Sequence, residues 1–223
     1  IKYLHGYGYN EKIPITENVD VTLVPTGHLL GDASIIIEYR KDEWTTRRIF
    51  YTGDTNAWTT MPRPFTKQFD TSVIYDCDTV ICESTYGCRK HSGQDAKKEL
   101  ERVVAEHVIK NRGVLLIPTF AIGRSAQVAH LLREIWNEHP EWEKVNVPIY
   151  MAGMMMGKAF NTYSNEYYQK YFMDEQWSAS EVFKWGRIQK IDKFNEVEEK
   201  LIDNKPKIIL ASSGMCTGGY TFG

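Results

Sequence analysis

Thr26-Gly27-His28-Leu29-Leu30-Gly31-Asp32 follows an alternating apolar run, Val19 to Pro25, and is followed by a second, Ser34 to Tyr39. The first run places Val21 and Leu23 on one face, and the second contains Ile35-Ile36-Ile37. Period-two patterns of this length read as strands, and glycines between them read as the turn. A third strand is read over Arg48 to Tyr51, after the polar turn Lys41-Asp42-Glu43, and it ends in Thr52-Gly53-Asp54. A hairpin of the second and third strands returns Asp54 to the Gly31–Ala33 turn and hence to His28. Thr79 to Cys82 reads as a short buried strand ending at Glu83-Ser84-Thr85-Tyr86-Gly87.

Three strand ends therefore carry a His, an Asp and a Glu. Taken singly, each has an ordinary reading as a turn or cap residue. Together they point to metal-assisted hydrolysis. Imidazole nitrogen and carboxylate oxygen are zinc donors, and a catalytic site leaves one position for water. A pair of ions roughly 3.5–4 Å apart holds both the attacking and the leaving oxygen of a phosphate displacement. His28 would ligate one ion, Asp54 would bridge two, and Glu83 would support the site or handle a proton.

From residue 92 the pattern changes. Ser92 reads as a helix cap with Asp95 in the first turn. Leu100, Val103, Val104, His107 and Val108 share one face, and Asn111-Arg112-Gly113 reads as a stop. Val114 to Ile117 reads as a strand closed by Pro118. A helix follows from Ser125 to Glu138 with Val128, Leu131, Leu132, Ile135 and Trp136 inward. Val147 to Met151 reads as a strand, Lys158 to Tyr171 and Val197 to Ile202 as helices, and Lys207 to Leu210 as a last strand running into Ala211-Ser212-Ser213-Gly214. Asp174 to Lys190 is aromatic and irregular. Alternating helix and strand argues for a parallel α/β sheet. The domain boundary is placed near Gly87, giving domains 1–87 and 88–223.

Across its 223 residues the chain is 42% hydrophobic and 25% charged, with a net charge of −2, the balance of an ordinary globular protein. No global basic field attracts nucleic acid, although bound metal ions can dominate a local field. No apolar stretch is long enough to span a bilayer, so no membrane partner is expected. The four cysteines, at 77, 82, 88 and 216, come without a secretory pattern and read as reduced thiols in a cytoplasmic setting. Cys88-Arg89-Lys90-His91 has the spacing of half a zinc site but lacks converging ligands in sequence. The first and last residues, Ile1 and Gly223, read as cuts within a longer chain.

These segments resemble the metallo-β-lactamase-fold nucleases with an inserted β-CASP domain. The likeness is carried by Thr26 to Gly31, Tyr51 to Asp54 and Glu83 to Gly87. It continues in Ile117-Pro118-Thr119-Phe120-Ala121-Ile122-Gly123-Arg124-Ser125-Ala126-Gln127 and in Ala211 to Met215 with Gly218-Gly219. It is closest to the RNA-processing branch, which includes the polyadenylation cleavage endonuclease and its prokaryotic relatives. The resemblance implies a partial αββα sandwich followed by an α/β parallel-sheet β-CASP domain, with the active site between the two. It makes His28 the third metal motif, Asp54 the bridging fourth, and Glu83 the acidic residue of the first β-CASP motif. It implies two zinc ions in the complete protein and single-stranded RNA as substrate. The assembly it implies is a homodimer or a larger RNA-processing complex.

The motif His-x-His-x-Asp-His is absent, and Asp32 stands where a small residue is usual. This chain alone is therefore expected to bind zinc weakly or not at all and to be inactive. Alternatives are a DNA nuclease of the same superfamily, a small-substrate metallohydrolase, and a non-catalytic β-CASP scaffold.

For phosphate or RNA contact the candidates are Arg124, Lys158, and the loop of Ser213, Gly214, Gly218 and Gly219, with the N-terminus of the helix after Arg124 as an anion site. Met154-Met155-Met156 reads as packing. Tyr163, Tyr167, Tyr168, Phe172, Trp177 and Trp185 are read mainly as packing, with base stacking as their alternative role.

Overall fold

The structure, a computed structural model, describes residues 4–56, 66–90, 93, 95–172 and 182–221. It divides into two compact units. Among the described residues the first holds 4–56 and 66–90, and the second holds 93–221.

The first unit is a five-stranded sheet of β1 (Lys12–Thr16), β2 (Val19–Pro25), β3 (Ala33–Arg40), β4 (Thr46–Tyr51) and β5 (Thr79–Ile81), in that spatial order. β1 to β4 form an antiparallel meander, and β5 lies parallel to β4. Alternation decides which face is dry. Val24, Ile36 and Phe50 line one face with Phe69, and the two phenyl rings stack at 5.8 Å. Full burial of a side chain such as Phe50 contributes roughly 1.5–3 kcal/mol. β1 escapes the sequence reading because only Ile13 of its five residues is buried. β5 is a strand as read, but it is not buried. Val80 and Ile81 are exposed, because β5 is the edge of the sheet among the described residues.

The second unit is a four-stranded parallel sheet in the order β6 (Val114–Pro118), β9 (Lys207–Ala211), β7 (Ile149–Ala152), β8 (Ile188–Ile191). Mixed α/β architecture with a parallel sheet is what alternating patterning dictates. The central strands are buried on both faces. Tyr150, Ala152, Ile209 and Ala211 pack with Ile191 and with Val197 of the last helix. The alternate residues Ile149, Met151, Ile208 and Leu210 are fully buried on the other face.

Helices α1 (Ala96–Val103), α2 (Arg124–Glu138), α3 (Met154–Tyr163) and α4 (Phe194–Ile202) accompany this sheet among the described residues. Asp95 is the cap of α1, accepting the Lys97 and Lys98 amides at 3.0 and 3.2 Å. Ser92 lies outside the described residues. α1 continues as a π-helical stretch over Val104–Lys110, which turns His107 outward while Val104 and Val108 stay buried. α3 begins four residues earlier than its sequence suggests and stops at Tyr163. There Asn165 accepts the Tyr167 amide and starts a separate 3-10 turn over Glu166–Tyr171.

α1 and α2 are tied by Lys97, which reaches Glu138 at 2.6 Å and Glu134 at 3.6 Å. His139, at the end of α2, bonds Glu101 at 2.8 Å and Glu141 at 3.0 Å while stacking on Trp142. At the other end of the unit, Lys207 is almost completely buried at the start of β9. Its ammonium donates to the main-chain carbonyls of Lys200 and Asp203, at the end of α4. Burial pulls its pKa below the ordinary lysine value, against the nearby Asp203 carboxylate, which raises it.

Candidate active site

Pairing fixes where the three strand-end segments emerge. Pro25, the last residue of β2, lies opposite Ala33, the first of β3, so residues 26–32 are the connection between them. Tyr51, the last of β4, lies opposite both Ile35 and Ile81, near the start of β3 and at the end of β5. The loops bearing His28, Asp54 and Glu83 thus leave one edge of one sheet.

Hydrogen bonds bind these loops together. The Asn56 amide donates to the Thr26 carbonyl at 2.9 Å, and the His28 amide to Thr26 Oγ1 at 3.1 Å. Thr52 is buried. Its amide donates to the Ile81 carbonyl at 3.0 Å, its carbonyl accepts from Ser34 Oγ at 2.7 Å, and its hydroxyl accepts the Glu83 amide at 3.1 Å. Gly27 sits at φ +72°, and a Cβ there would stand 2.7 Å from the Asn56 carbonyl oxygen. Only glycine permits both that handedness and that approach.

The Glu83 carboxylate is held at both oxygens. Oε1 accepts the Thr55 amide at 3.2 Å, and Oε2 accepts the Thr85 amide at 3.1 Å. The Thr85 side chain, and then these donors with the Thr55 hydroxyl, pull its pKa below the usual glutamate value, outweighing partial burial. Glu83 is therefore an ionised, oriented acceptor directly beside the segment that carries Asp54.

Asp54 is exposed and His28 half-buried. Asp32 lies in the field of both. Partial burial raises its pKa, the His28 imidazole lowers it, and the Asp54 carboxylate raises it further. The Tyr9 hydroxyl fixes the Asp32 main-chain carbonyl at 2.9 Å. Asp32 is thus a fourth polar member of this edge, legible in sequence only as a charged residue following the Gly31 turn.

Zinc needs three or four converging protein ligands. Among the described residues no group of three or more His, Cys, Asp or Glu is placed to hold a metal ion. The donors present do not by themselves make a zinc centre. His91 and Trp177 lie outside the described residues, so the Cys88–His91 half-site and that aromatic are not placed.

The remaining candidates lie in the second unit. Arg124 is exposed and bonds Gln127 Oε1 at 3.0 Å, and Lys158 is exposed on α3. The start of α2, read as an anion site, already has acceptors. Gly123 donates its amide to the Tyr163 hydroxyl at 3.2 Å, Arg124 to the Ile122 carbonyl at 3.0 Å, and Ser125 to the Phe120 carbonyl at 3.3 Å. In the Ser212–Gly219 loop the Ser213 amide bonds the Gly218 carbonyl at 3.2 Å, and Thr221 Oγ1 bonds the Ser213 carbonyl at 3.0 Å. Of the aromatics, Tyr163 and Phe172 are buried, Trp185 packs edge-on against Trp136, and Tyr167 is exposed. Of the methionines, Met156 is fully buried, but Met154 and Met155 are exposed.

Residues 126–222 match the Beta-Casp domain. The chain carries a β-CASP domain over this stretch, and its curated relatives are RNA-processing proteins of the β-CASP, metallo-β-lactamase-fold kind. It is 33% identical over 221 residues to an RNase J-like protein of Methanocaldococcus jannaschii, an alignment covering 95% of this chain and 46% of that protein. It is 27% identical to Endoribonuclease YSH1 of Mycosarcoma maydis, over 99% of this chain and 24% of that protein. It is 28% identical to cleavage and polyadenylation specificity factor subunit 3 of Dictyostelium discoideum, over 96% of this chain and 26% of that protein. The chain thus spans less than half the length of these curated relatives.

Proposed function

We propose that this chain is part of a zinc-dependent ribonuclease that hydrolyses phosphodiester bonds of single-stranded RNA. The observation that carries the reading is the delivery of His28, Asp54 and the clamped Glu83 to one sheet edge, in a chain whose relatives bear ribonuclease names. His28 and Asp54 are the donors this chain would contribute to zinc, with further ligands needed from elsewhere. When bound, zinc supplies Lewis-acid stabilisation of phosphate charge and an acidified water.

The chain's own chemistry is simpler. Glu83, ionised and fixed by two main-chain amides, accepts and relays a proton at its carboxylate. Asp54 presents an exposed anion beside it, which needs a cation before a phosphate can approach. Arg124 and Lys158 offer charge-assisted contacts to phosphate oxygens. A cytoplasmic enzyme acting as a homodimer or within a larger RNA-processing complex fits the reading.

The second reading is a non-catalytic β-CASP scaffold, in which His28 and Asp54 would hold no metal. The deciding experiment compares digestion of single-stranded RNA and DNA by the complete protein, with zinc content measured before and after Asp54→Ala. The ribonuclease reading expects RNA cleavage that is abolished by the substitution, together with a loss of zinc. Retained activity with normal metal content overturns the role of Asp54. Absence of cleavage and of zinc in the parent protein supports the scaffold.

A further inference from the structure

Thr52 directly follows β4 and is only 3% exposed. Its hydroxyl stands between the loops that carry Asp54 and Glu83. It accepts the Glu83 amide at 3.1 Å and donates to the Gly53 carbonyl at 2.8 Å. A peptide unit is planar, so a bond to its oxygen or its N–H orients the Cα atoms on either side. The bond to the Gly53 oxygen orients the plane that leads to the Asp54 Cα. The bond from the Glu83 nitrogen orients the plane that ends at the Glu83 Cα. One atom, Thr52 Oγ1, is common to both.

That oxygen is itself well held. The Thr52 amide bonds the Ile81 carbonyl of β5, and the Thr52 carbonyl accepts from Ser34 Oγ of β3. Branching at Cβ restricts the torsion that aims the hydroxyl. A hydroxyl that donates one hydrogen bond accepts another more strongly, so the two bonds reinforce each other. The turn needs this hold. Gly53 stands at φ +58°, where an added Cβ would meet nothing nearer than 3.7 Å, so glycine serves there for its handedness and not for room. The most permissive link of the backbone therefore lies directly before Asp54, and the Thr52 hydroxyl restrains it. Thr55 and Thr85 act further out, on the Glu83 carboxylate. Thr52 sets the main chain from which that carboxylate is aimed.

We propose that Thr52 is a positioning residue: its hydroxyl aligns Glu83 with the Asp54 turn, and its loss lowers turnover without weakening substrate binding. The proposal rests on the reading of the protein as a ribonuclease in which Glu83 handles a proton. The alignment itself is a property of the chain's own fold and can be read without any reaction.

The test compares Thr52→Val, which keeps the shape and removes the hydroxyl, with Thr52→Ser, which keeps the hydroxyl. Ser34→Ala is the control, since it disturbs the same buried spot through the Thr52 carbonyl and leaves the hydroxyl in place. The first readout is amide hydrogen exchange by NMR in the full 223-residue chain. Thr52→Val is expected to speed exchange of the Glu83 amide, which loses its acceptor, and also of the Thr55 amide, whose acceptor is the Glu83 carboxylate. The effect on Thr55 should be about tenfold, and absent in Thr52→Ser and Ser34→Ala. The second readout is cleavage of single-stranded RNA by the complete protein, below the melting transition of every variant. In Thr52→Val, kcat is expected to fall about a hundredfold with KM changed by no more than about twofold, and Thr52→Ser to restore it. An unchanged Thr55 amide, an unchanged kcat, or an equal loss in Ser34→Ala overturns the proposal and leaves Thr52 a structural tie. Should Thr52→Val not fold, Thr52→Cys carries the same comparison, because a thiol fills the site and hydrogen-bonds only weakly. If the parent cleaves no RNA, the ribonuclease reading falls, and the Thr55 amide alone decides the alignment.

Discussion

The Thr55 amide donates to Glu83 Oε1 at 3.2 Å, which locks the carboxylate at the end of β5 to the residue that follows Asp54. Two loops separated by nearly thirty residues are thereby set in register by a single side chain. The Glu83 carboxylate and the segment that carries Asp54 are thus tied together.

That coupling makes Glu83→Gln informative. The amide keeps the shape and one acceptor oxygen but turns its NH2 towards one of the two main-chain amides, so stability should fall by about 1–3 kcal/mol. A group that moves a proton loses that capacity, and turnover of RNA by the complete protein should fall by about 10²–10⁴-fold. Matched thermal melts and single-turnover rates check both halves. A large stability loss with proportionate activity would make Glu83 a structural tie only.

Gly27 tests the loop geometry. Gly27→Ala forces an L-residue to φ +72° and places its Cβ against the Asn56 carbonyl oxygen. The left-handed conformation alone costs about 1–2 kcal/mol, and the collision with main chain adds to it. A lowered urea midpoint is expected, together with loss of the Asn56–Thr26 hydrogen bond, read as faster exchange of the Asn56 amide. An unchanged midpoint would mean the loops repack freely.

The His139 bridge predicts a pH dependence. Its hydrogen bond to Glu101, with a second to Glu141, raises its pKa above the ordinary histidine value despite partial burial. A histidine raised in the fold contributes fully below its unfolded pKa, about 6.5, and loses that contribution as pH rises through the folded value. The pair is partly exposed, so the expected size is about 0.5–1 kcal/mol. His139→Ala should therefore lower the melting temperature near pH 6 and scarcely alter it near pH 9. His130, buried in α2, has the opposite sign. Burial lowers its pKa, so its contribution is present at high pH and lost as pH falls. Comparing parent and His139→Ala at each pH cancels that background.

Legibility in the sequence followed burial. The strands with alternating or continuous apolar residues, β2, β3, β4, β6 and β9, could be read, as could α2 with its stripe from Val128 to Trp136. β1 and β8 could not. Ile188-Gln189-Lys190-Ile191 carries two polar residues between its isoleucines, and Lys190 is held by Asn161 at 2.5 Å, a partner no local pattern reveals. α3 was obscured because its first turn, Met154-Met155-Met156, resembles core while two of the three are exposed. At the candidate site, His28, Asp54 and Glu83 could be named from strand ends. The clamps from Thr52, Thr55 and Thr85 could not, since they join residues that only the strand pairing brings together.

Lys207 sits at the opposite end of β9 from the Ser212–Gly219 loop. β9 is five residues, about 16 Å, long. At its start a buried ammonium grips the carbonyl end of α4, and at its finish the strand releases the Ser212–Gly219 loop. The strand thus works as a tie rod: anchored at its foot by a charge that water cannot reach, it carries that anchorage to the loop at its far end. Slackening the foot by removing the ammonium would alter the tension on a surface one strand length away, without touching any residue there.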